Sequence, residues 1–183
     1  TSALKPSDVQ KALSGQLGKP LALVDAGAVK TALATFPLVE TYRLEAHPPH
    51  DLVVRIVERT PVGVITSDRG FTVVDAAGVS LSSSLDRPAG YALIEVEGGT
   101  DAPAFRAAGT VLRALPADLR ARVDSVTATT RDDVELQLAG GTKVVWGSAD
   151  RSALKTKTLQ ALMTARPDQA LYDVSSPDVG VVG

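Results

Sequence analysis

Apolar residues in the first sixty positions recur twice at helical spacing and then twice at strand spacing. The two helical segments follow Ser7 and Asp25, which are both capping residues, and Ser7 with Gln10 has the spacing of a capping box. The apolar faces consist of Val9, Ala12, Leu13 and Leu17 in the first helix and of Val29, Ala32, Leu33 and Phe36 in the second. Residues 39–45 and 52–58 then alternate with a period of two, which indicates strands. This part of the chain is predicted to fold in the order helix, helix, strand, strand.

The chain from Pro61 onward is richer in predicted strands. Short apolar runs bounded by turn residues predict strands near residues 62–66, 71–74, 79–81, 91–96, 123–129, 134–138, 143–146 and 171–174. An unbroken apolar stripe over residues 104–115 predicts one helix, which Pro116 ends. A second helix is predicted over residues 150–165, with Leu154, Thr158, Leu159, Leu162 and Met163 facing inward. Residues 82–88 are predicted as a polar loop.

The pattern as a whole indicates an α+β fold. A small helix-helix-strand-strand domain is followed by a larger β-rich domain with two helices and a mainly antiparallel sheet. The final residues, after 174, form a tail rich in Ser, Pro, Gly and Val for which no element is predicted.

The composition argues against several classes of function. Lysine and arginine number 19 and aspartate and glutamate 21, and a net charge of -2 argues against a nucleic-acid-binding protein with its excess of basic residues. The absence of cysteine excludes disulfides, thiolate zinc sites and cysteine nucleophiles. The two histidines, His47 and His50, are too few for a multi-histidine metal site. No phosphate-binding glycine motif, HExxH sequence or GxSxG sequence occurs.

The residues that could carry chemistry have simpler structural interpretations. Gly140-Gly141-Thr142-Lys143 joins two predicted strands, whereas a phosphate loop opens a helix. His47 and His50 flank two prolines and are predicted to face solvent in a loop. Further metal ligands near them would be Glu45 and Asp51, and the paired acids elsewhere are Asp132-Asp133 and Glu95 with Glu97. We therefore predict that the protein is not an enzyme and binds no cofactor and no metal.

Neither a membrane-spanning segment nor a signal segment is predicted. The longest apolar run is far shorter than the roughly 18 to 20 residues that span a bilayer. No charged-then-apolar stretch begins the chain. Because residue 1 is Thr, we expect the chain to be a fragment of a longer protein.

Several short motifs occur in a fixed order along almost the whole chain. In the first half of the chain they are Val24-Asp25, Phe36-Pro37-Leu38-Val39, the strand from Leu52 that leads through Glu58-Arg59-Thr60-Pro61 to Val62, and the turn Val73-Val74-Asp75-Ala76-Ala77-Gly78-Val79. In the second half they are the segment Leu138-Ala139-Gly140-Gly141-Thr142-Lys143-Val144 through Gly147, Lys155 in the following helix, and Tyr172-Asp173-Val174-Ser175-Ser176-Pro177. In order and spacing they resemble the extracytoplasmic region of the bacterial cell-division family FtsQ, called DivIB in many Gram-positive species.

The resemblance implies a POTRA domain over residues 1–60 and an FtsQ-type β domain over residues 61–183. The family's POTRA fold begins with a strand. Residues 1–6 leave little room for it, so we expect this strand to be truncated or very short. The family's cytoplasmic tail and single transmembrane helix are absent, as expected for a soluble fragment. The full-length protein would lie on the extracytoplasmic face of the cell membrane at the division septum.

The resemblance also implies a scaffold rather than an enzyme. The expected partners are FtsB-like (DivIC-like) and FtsL-like division proteins and, indirectly, septal peptidoglycan synthases. In the family, a partner segment adds a strand to the last part of the β domain. An exposed edge strand permits this because its unpaired N–H and C=O groups can complete a ladder with an extended partner.

We predict that residues 172–179 form this edge. The partner-binding residues would be Tyr172, Asp173, Val174, Ser175, Ser176, Asp178 and Val179. Tyr172 would supply an aromatic anchor, and Asp173 would fix the start of the strand. In the alternative interpretation, Tyr172 and Val174 only complete the domain core. Because no Lys or Arg follows Arg166, backbone pairing would carry much of the binding.

Glu58, Arg59 and Pro61 are predicted as interdomain hinge residues. Proline cannot donate to a ladder and therefore marks the end of a strand. Linkers between domains often contain proline and make few contacts across the boundary.

Two other classes of function remain as alternatives. A POTRA-type chaperone or transport module would bind extended polypeptide segments by edge addition, although tandem copies of the helix-helix-strand-strand unit are absent. A cell-wall hydrolase would need a metal site, a nucleophile or an acid pair in a cleft, and these are missing or badly placed.

Overall fold

The computed structural model describes residues 4–183, and the chain forms two compact units, Thr1–Thr60 and Pro61–Gly183. The elements of the first unit are α1 (Pro6–Ala12), short 3-10 helices at Ser14–Gln16 and Leu21–Leu23, α2 (Ala26–Leu33), β1 (Val39–His47) and β2 (Asp51–Glu58). The predicted order of helix, helix, strand, strand is confirmed. The predicted short strand ahead of the first helix falls on residues 1–6, of which residues 1–3 lie outside the described residues.

The core of the first unit forms between its helices and one face of its antiparallel sheet. Val9, Val29 and Leu33 are buried there, and the residues packed against them include Tyr42, Leu44, Val54 and Ile56 from the strands. Asp25 caps the N-terminus of α2, as predicted. Its Oδ1 atom accepts hydrogen bonds from the N–H groups of Gly27 at 2.8 Å and Ala28 at 3.1 Å, which otherwise have no partner in the first turn.

The first helix is shorter than predicted and starts differently. α1 ends at Ala12, and Leu17 lies beyond a 3-10 helix with 72% of its surface exposed. The helix begins at Pro6 and no side chain caps it, so the predicted capping box of Ser7 and Gln10 is wrong. Proline suits the first helical position because it has no N–H that a cap would need to satisfy.

The second unit is built on a nine-stranded mixed sheet. Its strands are β3 (Pro61–Ser67), β4 (Gly70–Asp75), β5 (Ser80–Ser84), β6 (Ala92–Val96), β7 (Val123–Ala128), β8 (Val134–Leu138), β9 (Lys143–Gly147), β10 (Leu171–Asp173) and β11 (Val181–Val182). Its helices are α3 (Pro103–Ala114), α4 (Ala117–Arg120) and α5 (Ser152–Ala165). The strands lie in the order β11-β10-β9-β8-β7-β6-β3-β4-β5. Three neighbouring pairs are parallel and five are antiparallel, so the prediction of a mainly antiparallel sheet is confirmed.

The core of the second unit lies between its helices and one face of the sheet. α3 packs on β3, β6, β7 and β8, and α5 packs beside α3. Phe105 from α3 and Trp146 from β9 are fully buried. The predicted strand at residues 134–138 is β8, in which Val134, Leu136 and Leu138 are buried and the residues between them are partly exposed.

Three local features of the second unit differ from the prediction. Ser82–Ser84, predicted as loop, belong to β5 because their backbone pairs with β4. Leu154 was expected to face inward but is exposed, and Lys155 and Thr156 are buried instead. The tail returns to the sheet as β11.

The turn that contains Asp75 and Gly78 has a structural reason for its sequence. Asp75 Oδ1 accepts hydrogen bonds from the N–H groups of Ala77 at 2.9 Å and Val79 at 2.8 Å. Gly78 has a φ of +82°, and a Cβ at this position would lie 2.6 Å from Cβ of Thr100. Both the backbone conformation and the close contact therefore require glycine.

Candidate partner-binding edge

The terminal segment of the chain forms one end of the nine-stranded sheet. In β10, Tyr172 lies opposite Val144 of the parallel strand β9 and opposite Val182 of the antiparallel strand β11. Because β10 has a neighbour on both sides, the free edge at this end belongs to β11. The structure thus corrects the position of the edge, which lies at Val181–Val182 and outside the predicted range of 172–179.

Tyr172 and Val174 lie in the core. Their exposed fractions are 1% and 0%. The Tyr172 hydroxyl donates a hydrogen bond to the C=O group of Arg166 at 2.6 Å, and the Val174 N–H donates to the C=O group of Val145 at 2.9 Å. These positions agree with the alternative interpretation, in which both residues complete the core. A side chain this deeply buried cannot act as a surface anchor in this conformation.

The other predicted partner residues lie at the end of β10 and in the turn that leads to β11. Asp173 Oδ1 accepts a hydrogen bond from the N–H of Ser175 at 2.9 Å, which turns the chain away from β10. The Val179 N–H donates to the C=O group of Ser176 at 3.0 Å. Asp178 lies at the surface in the same turn. The contact of these residues with a partner stays a prediction.

β11 has backbone N–H and C=O groups on the side that faces away from β10. Leu171 and Gly183 exchange two hydrogen bonds, of 2.9 Å and 3.1 Å. In an antiparallel ladder, pairs of this kind alternate with pairs whose N–H and C=O groups point away from the partner strand. Val182 is next to Gly183 in the ladder, so its N–H and C=O groups are directed outward.

A buried lysine of α5 binds the main chain at the end of β9 and in the connection that follows it. Lys155 Nζ donates hydrogen bonds to the C=O groups of Trp146 at 2.9 Å and Ser148 at 2.8 Å. Burial lowers the pKa of Lys155 because desolvation disfavours the ammonium form, and the negative charges of Asp150 and Asp173 act in the opposite direction. Lys155, which belongs to the motifs that resemble the FtsQ family, therefore stabilises the fold at the end of β9.

His47 was predicted in a loop but is the last residue of β1, and His50 lies in the turn that follows. Glu45 lies 2.7 Å from Nε of Arg55 and 3.6 Å from Nε2 of His47. The hydrogen bond from Arg55 lowers the pKa of Glu45. Within residues 4–183, no group of three or more His, Asp or Glu side chains could hold a metal ion. No helix in the same part of the chain is long and apolar enough to cross a bilayer.

The two paired-acid motifs occupy ordinary positions. Asp133 Oδ1 accepts hydrogen bonds from the N–H groups of Thr129 at 3.0 Å and Thr130 at 2.7 Å, and these bonds lower the pKa of Asp133. This places the motif in the hairpin turn between β7 and β8. Glu95 lies in β6 and Glu97 follows the end of that strand, both with exposed side chains.

The predicted hinge residues make contacts within their own units. Glu58 ends β2 and accepts a hydrogen bond from the N–H of Leu4 at 3.4 Å. The N–H of Arg59 donates to the C=O group of Leu38 at 2.8 Å. Pro61 begins β3. Their role as a hinge stays a prediction.

No strand was predicted from the sequence at the position of β11. Two residues in a tail rich in Ser, Pro and Gly are too few to show a period, and pairing with β10 depends on how the turn folds back. The signal present is the pair of β-branched residues Val181 and Val182 directly after Gly180.

Two family models match the chain. The model described as "POTRA domain, FtsQ-type" matches residues 1–59, and the model described as "Cell division protein FtsQ/DivIB, C-terminal" matches residues 63–179. Similar proteins include Cell division protein FtsQ of Streptomyces bingchenggensis, which is 35% identical over an alignment of 192 positions. This alignment covers 100% of this chain and 72% of that protein. The protein of the same name from Streptomyces collinus is 33% identical, with 97% and 72% covered. That from Mycobacteroides abscessus is 35% identical, with 100% and 58% covered. The chain belongs to the FtsQ/DivIB family of cell division proteins.

Proposed function

We propose that this chain is a non-enzymatic scaffold of the division machinery and that its β11 edge receives an extended segment of an FtsB-like partner. An FtsL-like protein would belong to the same complex, and the complex would help to recruit or regulate septal peptidoglycan synthases. The full-length protein would act on the extracytoplasmic face of the cell membrane. The observation that carries the proposal is the outward-directed backbone of Val182 at the end of the sheet.

Exposed aliphatic side chains beside this edge support the proposal. Val179 and Val181 are 72% and 54% exposed, and they are two positions apart. An added strand would pair with the outward backbone groups of Val182 and would cover part of this apolar surface. Backbone pairing gives such complexes their affinity, and the pockets for alternate side chains give them specificity.

We expect Val182→Pro to weaken partner binding by at least about tenfold, because proline removes the outward N–H that an added strand needs. The hydrogen bonds between Leu171 and Gly183 do not use this N–H, so β11 itself is expected to stay in place. The measurement is calorimetric titration of the chain with the extracytoplasmic segments of the FtsB-like and FtsL-like proteins of the same organism.

The matched control is Val182→Ala, which removes the same aliphatic side chain but keeps the N–H. Equal loss of binding in both variants would assign the effect to the side chain and would contradict strand addition. Failure of the unmutated chain to bind either segment would overturn the proposal for this edge.

The alternative of a module that binds extended polypeptides is favoured by one feature of the first unit. A cavity of about 670 Å³ runs between α1 and β2, and apolar side chains such as Val9, Leu13 and Leu17 line it. Among residues 4–183, β2 pairs only with β1. If this surface binds the partner, Leu17→Glu will abolish binding and Val182→Pro will leave it unchanged.

A further inference from the structure

We infer that α5 positions the partner-binding edge by clasping the turn that leads into β11. The inference rests on the proposed function of that edge. We define the clasp as Arg151, Thr158 and Leu162, together with the turn residues that they contact, Pro177, Asp178 and Gly180.

Two polar contacts join α5 and its first flanking residue to the turn. Arg151 Nη2 lies 2.9 Å from Asp178 Oδ1. The Thr158 hydroxyl donates a hydrogen bond to the C=O group of Pro177 at 3.0 Å. The donors are seven positions apart, which is close to two helical turns, so they lie on one side of α5.

The third contact of the clasp is steric. A Cβ at Gly180 would lie 2.7 Å from Cδ1 of Leu162 and 3.0 Å from Cγ2 of Thr158. The main chain therefore passes directly against α5 just before it enters β11. A branched side chain at this position would lift the chain away from the helix.

β11 needs such support because the strand itself is very short. Val181 and Val182 are its only residues, and pairing with β10 fixes few backbone groups. When a binding-competent state is only partly populated, the apparent affinity falls in proportion to that fraction. A clasp that keeps β11 paired therefore raises the affinity of the edge for an added strand.

The clasp acts locally because its ion pair is exposed and its hydroxyl contact is a single hydrogen bond. Arg151 and Asp178 both lie largely in solvent, and an exposed ion pair adds little to global stability. Breaking the clasp is therefore expected to open β11 without unfolding the core of the second unit.

The test uses two variants of the chain, Asp178→Lys with Thr158→Val, and Gly180→Val. In both we expect exchange of the Leu171 and Gly183 amide protons to accelerate about tenfold, since these amides report the pairing of β10 with β11. Partner binding is measured by the same titration as above. The apparent Kd is expected to rise by the factor by which the paired fraction falls.

The matched control is Asp124→Lys with Thr110→Val. It breaks the ion pair of Asp124 with Arg87 and removes an exposed helical hydroxyl, and neither position belongs to the clasp. A second control exchanges the two charges, Arg151→Asp with Asp178→Arg. We expect its amide exchange rates and its partner affinity to equal those of the unmutated chain, because the ion pair is kept and aspartate tolerates the left-handed backbone of position 151.

Unchanged exchange in the clasp variants would overturn the inference, whatever the partner does. An unchanged Kd in a variant whose β11 is mostly unpaired would overturn the positioning role. If the unmutated chain binds no partner segment, the proposed function fails and the positioning role fails with it, while the exchange data still show separately whether α5 orders β11.

Discussion

We expect Tyr172→Ala to lower the free energy of unfolding of the second unit by about 3 to 5 kcal/mol, the range for removal of large buried aromatic side chains. Tyr172 is fully enclosed between β9 and β11 and belongs to the main core cluster. Its truncation leaves a cavity and removes the donor to the C=O group of Arg166. The chain has one tryptophan, Trp146, which is buried in the second unit, so urea unfolding followed by its fluorescence measures this unit alone.

Tyr172→Phe is the control for the cavity. It keeps the ring and removes only the hydroxyl, so we expect a loss of about 1 kcal/mol. A loss below about 1 kcal/mol for Tyr172→Ala would contradict the core position and would favour the interpretation of Tyr172 as a surface anchor.

Lys155→Met is expected to lower the free energy of unfolding by about 2 to 4 kcal/mol, because two C=O groups lose their charged donor in a buried site. Those groups belong to Trp146 and Ser148, at the exit of β9. Methionine keeps most of the apolar stem, so the loss reports the polar contacts rather than a large cavity. The same fluorescence measurement applies, because Trp146 lies next to the change.

Lys157→Met supplies the matched control. Lys157 is two positions away on the same helix and is exposed, so its change is expected to stay within about 0.5 kcal/mol. Equal effects of the two substitutions would mean that Lys155 contributes through its charge on the helix and not through its buried hydrogen bonds.

The position of the edge changes the role expected of the C-terminal motif. Tyr172-Asp173-Val174-Ser175-Ser176-Pro177 supplies the strand on which β11 pairs and the turn that carries the chain to it. The motif therefore positions β11, the edge strand, and does not itself form the edge. The outermost backbone groups come from Val182, which lies outside the motif.

Local sequence patterns by themselves determined the order of several helices and strands and which of their faces are buried. The order of helix, helix, strand, strand, the start of α2 at Asp25, the apolar stripe of α3 and the alternation of β8 all follow from periodicity and capping. They could be predicted because each depends on residues within a few positions of one another. The motifs that indicated the FtsQ/DivIB family are also local, and the comparisons confirm that indication.

Only the tertiary structure decided the residues that matter most for the edge. The pattern of apolar residues in α5 predicted that Leu154 faces inward. In the structure, Lys155 donates hydrogen bonds to two C=O groups at the end of β9. The helix therefore buries the lysine and exposes the leucine. The two residues of β11 have no pattern of their own and join the sheet where the turn packs on α5. Such contacts join residues far apart in the chain, and the free energy of satisfying a buried polar group or pairing a short strand depends on partners that local periodicity does not identify.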